Sequence, residues 1–159
     1  FGQAQLVMID SETGEYRYEE VARAEGLSST EIKERAKSWL TQYYTQIDSI
    51  HTDSISLKQL NTYHFEWKLI SKTIKVDLFF DVLIKVKDNR YKYDFGNFRV
   101  GKMTKGDLQA IDLKTYIERF PTDYQILVEE PVDTEITKAI NSLNFFIVNN
   151  KLEVEEDDW

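Results

Sequence analysis

The chain has 159 residues, of which 42% are hydrophobic, and carries a formal net charge of −8 at pH 7. A chain of this length is enough for one domain with a full core, which buries roughly two-thirds of the surface that the unfolded chain exposes. Cysteine is absent from the sequence, which excludes disulfides, thiolate nucleophiles and thiolate metal sites. No apolar run approaches the roughly 20 residues of a membrane-spanning helix.

The N-terminal segment carries a weak export signature. Gly2 and Ala4 are small residues two positions apart, as at a signal-peptidase recognition site. We therefore expect residues 1–9 to be a lead-in with a signal-peptide remnant, and the protein to be exported, either periplasmic or extracellular. A cytoplasmic protein with a trimmed start is the alternative. The acidic residues between 10 and 14 favour a turn, because a calcium loop would need a distal glutamate that the spacing does not supply.

The first regular elements are a strand and a helix. Aromatic and β-branched residues predict a strand from Tyr16 to Ala24. Ser28 and Glu31 then form an S-x-x-E capping box, which marks the start of a helix. One apolar stripe at helical spacing follows, formed by Ile32, Ala36, Trp39, Leu40, Tyr43 and Ile47. This helix is expected to pack against another element through one face.

Alternation of apolar and polar residues, the period of a β-strand, predicts the sheet against which this helix packs. Apolar residues alternate with polar ones in four runs, at 55–57, 63–69, 80–86 and 91–95. The connections predicted between them, at 59–62, 71–75 and 88–89, are short and polar, so the runs should form neighbouring antiparallel strands with one buried face. Gly96 and Asn97 interrupt the alternation and indicate a bulge that returns Phe98 and Val100 to the core.

The pattern is weaker from residue 101 to Pro131. Apolar spacing after Asp112 predicts a short helix that ends before Pro121. A longer helix is predicted after Pro131, with Asp133 as its N-cap and a stripe of Ile136, Ile140, Leu143 and Ile147. Residues 151–159 form an acidic tail. The prediction is one α+β domain over residues 10–150, a curved antiparallel sheet in the order strand, helix, four strands, helix, with two helices on one face.

Three stretches of the sequence, in their order along the chain, resemble those of a known family. They are Y-x-Y-E-E-V (Tyr16 to Val21), the helix opening from Gly26 to Leu40 with its A-K-S-W-L core, and V-K-D-N-R-Y-K-Y (Val86 to Tyr93). From about Asp10 to Asn149 the chain resembles an uncharacterised bacterial family, often exported, of unknown function and TATA-binding-protein-like fold. The resemblance implies the same order of elements and no activity, and a shared fold licenses no inference of DNA binding.

A basic hairpin is the candidate binding surface. Its cations are Lys85, Lys87, Arg90 and Lys92, within a region from 58 to 105 whose net charge is +6. With Asp88 and Asn89 as a type I′ turn, Lys87 pairs with Arg90 and Lys85 with Lys92. Alternation places the aromatics of 91–95 on the opposite face. Nucleic acid is therefore disfavoured as a partner, because base-stacking readers need aromatics and cations on one surface.

Two interpretations of this surface stay open. Four like charges on one face cost stability unless acids such as Asp81, Asp94 or Glu66, or a bound anion, offset them. In the simpler interpretation the lysines are solvated and protect the sheet from aggregation. In the other, they form the anion-binding face of the hairpin at 76–100.

Catalytic patterns are absent from the sequence. The two histidines, His51 and His64, have no G-x-S-x-G or H-E-x-x-H motif around them, and no glycine-rich phosphate loop precedes a helix. We expect no catalytic, cofactor or metal site. The favoured function is a non-enzymatic binding or scaffold domain of the bacterial envelope, with an envelope protein or anionic polymer as partner. The alternative is an anion-binding module for acidic glycan, lipopolysaccharide or nucleic acid.

Overall fold

The computed structural model describes residues 14–43, 49–50, 54–69, 71–105 and 107–150. Six strands and three helices follow one another along these residues: β1 (Tyr18–Arg23), α1 (Ser29–Tyr43), β2 (Ser49–Ile50), β3 (Ser54–Leu69), β4 (Lys72–Lys87), β5 (Arg90–Thr104), β6 (Asp107–Asp112), α2 (Leu113–Glu118) and α3 (Thr122–Asn149). The α+β class and the curved antiparallel sheet predicted from the sequence are confirmed.

The sheet has the order β1-β5-β4-β3-β2, and every pairing is antiparallel. Strand β5 has two neighbours on its outer side. Residues 90–95 pair with β1, and residues 99–104 pair with β6. The hairpin end of β4 and β5 therefore lies beside β1, at one edge of the described sheet.

Both long helices cover one face of this sheet. Alternate side chains of β4 and β5 point into a single core with the apolar stripes of α1 and α3, including Trp39, Ile84 and Phe95. The two helices are also joined by polar contacts. Trp39 Nε1 donates to Ser142 Oγ at 3.0 Å, and Arg35 donates to the carbonyl of Ile147 at 2.7 Å near the end of α3.

Two local predictions are confirmed in detail. At the start of α1, the Glu31 amide donates to Ser28 Oγ (3.1 Å) and the Ser28 amide to Glu31 Oε1 (3.0 Å), which completes the capping box. Accepting the bond from the Ser28 amide lowers the pKa of the Glu31 carboxyl. The register of β4 and β5 shifts where Asn97 takes a positive φ of 53°, and Phe98 and Val100 are buried beyond it.

The boundaries of the first predicted strands were wrong. The runs at 55–57 and 63–69 belong to one strand, β3, and the connection predicted at 59–62 overlaps a register shift against β4 between Leu57 and Asn61. Strand β4 begins at Lys72, inside the connection predicted at 71–75. Polar residues on an exposed strand face resemble a loop in sequence, whereas hydrogen bonding to a neighbouring strand keeps the backbone extended.

Strand β6 was not predicted, because the apolar pattern is weak from residue 101 onward. In the fold Gly101 pairs with Ala110, and an added Cβ would lie 2.1 Å from the Gln109 carbonyl oxygen. The glycine therefore permits close approach of the neighbouring backbone and does not end the strand.

The start predicted for the last helix was also wrong. Helix α3 begins at Thr122 and continues through Pro131, so Asp133 is an interior residue and not the N-cap. Its buried stripe extends upstream through Val128 and Val132. Burial of these two residues offsets the backbone hydrogen bond that proline removes from a helix interior. The short helix after Asp112 is confirmed as α2, with the Asp112 carboxylate accepting from the Lys114 amide at 3.0 Å.

Several predictions fall outside the described residues. These are the signal-peptide remnant at 1–9, the turn at 10–14 apart from Gly14, Ile47 and the side chain of Tyr43 in the first helical stripe, His51, the side chain of His64 and the acidic tail at 151–159. Of the helices in the described ranges, none combines the length and apolar character needed to cross a membrane.

Candidate functional site

The predicted cations are brought together on the face of the sheet opposite the helices. Lys85, Lys87, Arg90 and Lys92, called the basic face below, stand in two rungs of the β4–β5 hairpin, in which Lys85 pairs with Lys92 and Lys87 with Arg90. Successive residues on one strand face are about 7 Å apart, and directly opposed Cβ atoms about 5 Å. With Val21 of β1, the basic face lines a groove of about 350 Å³.

The turn of this hairpin is fixed by the segment that leads into α1. Asp88 Oδ1 accepts from the Ser29 amide at 2.8 Å, and Asn89 Oδ1 accepts from the Gly26 amide at 2.9 Å. The type I′ assignment was wrong, because Asn89 has a positive φ (68°) but Asp88 does not. Contacts with the 24–29 segment hold this turn, and they position Lys87 and Arg90 on either side of it.

The acids expected to offset the basic face are engaged elsewhere. Asp94 accepts from Arg17 at 2.5 Å and Asp81 from Arg99 at 2.8 Å, whereas Glu66 lies opposite Lys75, away from the hairpin turn. The acid that does reach the basic face is Glu19 of β1, whose Oε2 lies 3.0 Å from Lys92 Nζ. Sequence alternation in β1 could have identified this residue, since it shares a face with Val21.

Three cations of the basic face lack such a partner. Among the described side chains, none forms a salt bridge or hydrogen bond with Lys85, Lys87 or Arg90. Each is partly or largely in contact with water, and each directly faces another cation or stands beside one. Such a cluster concentrates positive potential on a chain whose total charge is negative.

The aromatics of the same strand are confirmed to lie in the core. Tyr91 is 2% exposed and Tyr93 4% exposed, and their hydroxyls donate to Asn144 Oδ1 (2.5 Å) and Glu20 Oε1 (2.7 Å). Burial raises the pKa of both phenols, and for Tyr93 the bond to Glu20 raises it further. These rings are therefore inaccessible as stacking platforms.

A second polar cluster joins β1 to α3. The Tyr16 hydroxyl donates to Glu129 Oε2 at 2.8 Å, and the Tyr18 hydroxyl donates to Asp133 Oδ1 at 2.5 Å. Asp133 is only 3% exposed. Burial raises its pKa, while the bond from Tyr18 acts in the opposite direction. Burial likewise raises the pKa of Tyr16 and Tyr18, helped by their carboxylate partners. These hydrogen bonds attach β1 and the residues just before it to α3.

No described group of three or more histidine or acidic side chains has an arrangement suited to holding a metal ion.

The comparisons with known proteins identify a family and a fold. A family model described as "Domain of unknown function (DUF4468) with TBP-like fold" matches residues 18–101. A crystal structure of a TBP-like protein from Parabacteroides distasonis is similar over 89% of this chain and 96% of that chain, with a TM-score of 0.65 and 15% identity. A DUF4468 family protein from Bacteroides ovatus has a TM-score of 0.56 and 6% identity, covering 83% and 87% of the two chains. No curated protein matches the sequence.

Proposed function

The chain belongs to the DUF4468 family of TBP-like fold, and from that premise we propose that it is a non-enzymatic binding module of the bacterial envelope that holds an anionic ligand on the basic face. The observation that carries this proposal is the groove of about 350 Å³ lined by four cations, three of which have no acidic partner among the described side chains. Directly opposed like charges on a sheet are destabilising. A bound anion removes that cost.

The ligand is proposed to be an acidic polysaccharide or the phosphorylated sugar region of lipopolysaccharide. Lysine and arginine recognise carboxylate, sulfate and phosphate groups through charge-assisted hydrogen bonds. Base recognition would also need exposed aromatic rings, and those of β5 are buried and hydrogen bonded. The spacing of the two rungs, about 7 Å, suits a ligand with repeated charges.

The charge distribution supports an oriented complex. The whole chain carries −8, so a polyanion is repelled by most of the surface and attracted at the basic face. Two features support a binding module over an enzyme. The buried carboxyl of Asp133 is committed to Tyr18, and Glu19 and Asp94, on the strands of the basic face and beside it, are committed to Lys92 and Arg17.

The experiment is an amide chemical-shift titration of the labelled protein with a soluble acidic polysaccharide at two salt concentrations. We expect shifts in residues 85–92 and at Val21, and an affinity that falls about 50- to 150-fold between roughly 50 and 200 mM salt if all four cations are engaged. The variant K85S/K87S should lose most of the affinity. Cell fractionation tests the envelope location separately.

The matched control is K72S/K75S, which removes the same charge from the other end of β4. It should bind as the wild type does. Equal losses in both variants, or shifts spread over α1 and α3, would show that attraction is unspecific and would contradict a dedicated site. An oligonucleotide that binds the same residues more tightly than the polysaccharide would replace the proposed ligand class with nucleic acid.

A further inference from the structure

The outer edge of β1 is available for pairing in the described structure. Strand β1 lies at the end of the sheet and pairs only with β5 among the described residues. The Ala24 amide donates to the Asn89 carbonyl at 2.8 Å, on the β5 side. Because hydrogen-bonding residues alternate along an antiparallel strand, Glu19, Val21 and Arg23 direct their N–H and C=O groups away from β5. An edge of this kind pairs readily with another strand.

The side chains along this edge are self-complementary. Glu19, Val21 and Arg23 stand on one face of β1, with an acid and a base equally spaced on either side of a valine. Val21 is 60% exposed, so the middle of this edge presents an apolar side chain to water. If two copies of β1 meet antiparallel with Val21 facing Val21, each Glu19 faces an Arg23 of the other copy.

From this complementarity we propose that two copies of the chain pair through their β1 edges, antiparallel and with Val21 on the two-fold axis. The three outward residues of each strand exchange main-chain hydrogen bonds with the other copy, so the two sheets become continuous. Glu19 and Arg23 form reciprocal ion pairs across the interface, as a closed two-fold interface requires.

Like-charge contacts disfavour the two adjacent registers. If the strands shift so that Glu20 lies on the axis, Glu20 faces Glu20. A shift that places Ala22 on the axis brings Glu19 opposite Glu25. Like charges directly opposed are destabilising in a sheet. The Val21-centred register instead places Glu20 opposite the small Ala22 on the helix-covered face.

The ion pairs that Glu19 and Arg23 already form permit the new pairs across the interface. Arg23 pairs with Glu25 within its own chain, and the two side chains are 83% and 70% exposed, so that pair contributes little and is readily replaced. Glu19 has two carboxylate oxygens and can accept from an incoming Arg23 while Lys92 stays within reach. A short paired edge buries less than a standard interface, so the dimer should be of the weak, concentration-dependent class.

The pairing also places the two basic faces together. A register in which Val21 faces Val21 keeps both sets of helices on one side of the joined sheet, because directly opposed residues share a face. Val21 lines the groove of the basic face, so the two grooves flank the two-fold axis. The dimer does not depend on the proposed ligand, and either proposal can fail while the other stands.

Charge reversal tests the pairing. We expect sedimentation velocity from about 10 μM to about 1 mM to show a monomer–dimer equilibrium of micromolar to millimolar Kd. E19R and R23E, tested singly, each turn both ion pairs into like-charge contacts and should weaken the dimer about tenfold or more. The double variant E19R/R23E restores opposite charges and should recover it. Mixing the two single variants should give a heterodimer tighter than either homodimer.

Amide exchange gives an independent readout, with circular dichroism confirming that each variant is folded. The Val21 amide should become protected as protein concentration rises, whereas the Ala24 amide, already bonded to Asn89, should be protected at all concentrations. A chain that stays monomeric at about 1 mM overturns the proposal. A dimer that E19R and R23E leave unchanged, or that the mixture and the double variant fail to restore, overturns it as well.

Discussion

At the residue scale, the buried carboxyl of Asp133 is the clearest case of a side chain whose role depends on its surroundings. It lies in the interior of α3 at 3% exposure and accepts from the Tyr18 hydroxyl. One hydrogen bond does not replace the hydration of an ionised carboxylate. Asp133 therefore stabilises the attachment of β1 to α3 best when it is protonated.

This predicts an acid-side dependence of stability. Because folding raises the pKa of Asp133, the stabilisation from this group is present below the ordinary carboxyl pKa and is lost as pH rises through the raised value. Asp133→Asn cannot ionise, so its free energy of unfolding should improve relative to wild type between about pH 3 and about pH 7. Urea unfolding at a series of pH values measures the difference.

The control for this prediction lies on the same helix. Glu130→Gln makes the same carboxyl-to-amide change at an exposed position, so it shows what that change does at a site in contact with water. If the Asp133→Asn difference is the same at every pH, the pKa of Asp133 is the same in the folded and unfolded chains, and burial does not disfavour its ionised form.

At the element scale, the hairpin turn and the start of α1 stabilise each other. The first amides of a helix lack partners within the helix. Here Ser28 accepts from the Glu31 amide, and Asp88, remote in sequence, accepts from the Ser29 amide. The same turn residue therefore caps α1 and fixes the end of the basic face.

Removal of this cap should destabilise both α1 and the hairpin turn. Asp88→Ala should lower the free energy of unfolding by about 1 kcal/mol, the usual cost of losing a side-chain cap. Asp88→Asn keeps an acceptor and should cost less. Urea denaturation measures the loss, and the exchange rate of the Ser29 amide shows where it acts. An Asp88→Ala chain that matches wild type in both would mean that water replaces the carboxylate without cost.

At the scale of the whole molecule, the two long helices and the sheet share one core. Trp39 lies between α1 and α3, whereas Trp67 contacts α2, donating to the Tyr116 hydroxyl at 3.1 Å and packing edge-on against Phe120. Both tryptophans belong to the same buried cluster. Regions joined by one continuous core unfold together.

We therefore expect a single unfolding transition. In a Trp159→Phe background, which leaves Trp39 and Trp67 as the fluorescent reporters, fluorescence and far-ultraviolet circular dichroism should give the same urea midpoint. Trp39→Phe in that background isolates Trp67, and its fluorescence midpoint should again coincide with the circular dichroism midpoint of the same variant. Separate midpoints would indicate that α2 and its neighbours unfold independently of the α1–α3 layer.

The sequence by itself determined what depends on neighbouring residues. The capping box at Ser28, the α1 stripe from Ile32 to Leu40, the bulge at Asn97 and the alternation that separates the cations of β5 from its tyrosines are confirmed, because helix caps and side-chain periodicity act over a few residues. Only the tertiary structure decided the rest. Packing carried α3 through Pro131, β3 continued across a register shift between Leu57 and Asn61, and the fold brought Glu19 rather than Asp94 to Lys92. These outcomes depend on contacts between residues far apart in the chain, which no local pattern encodes.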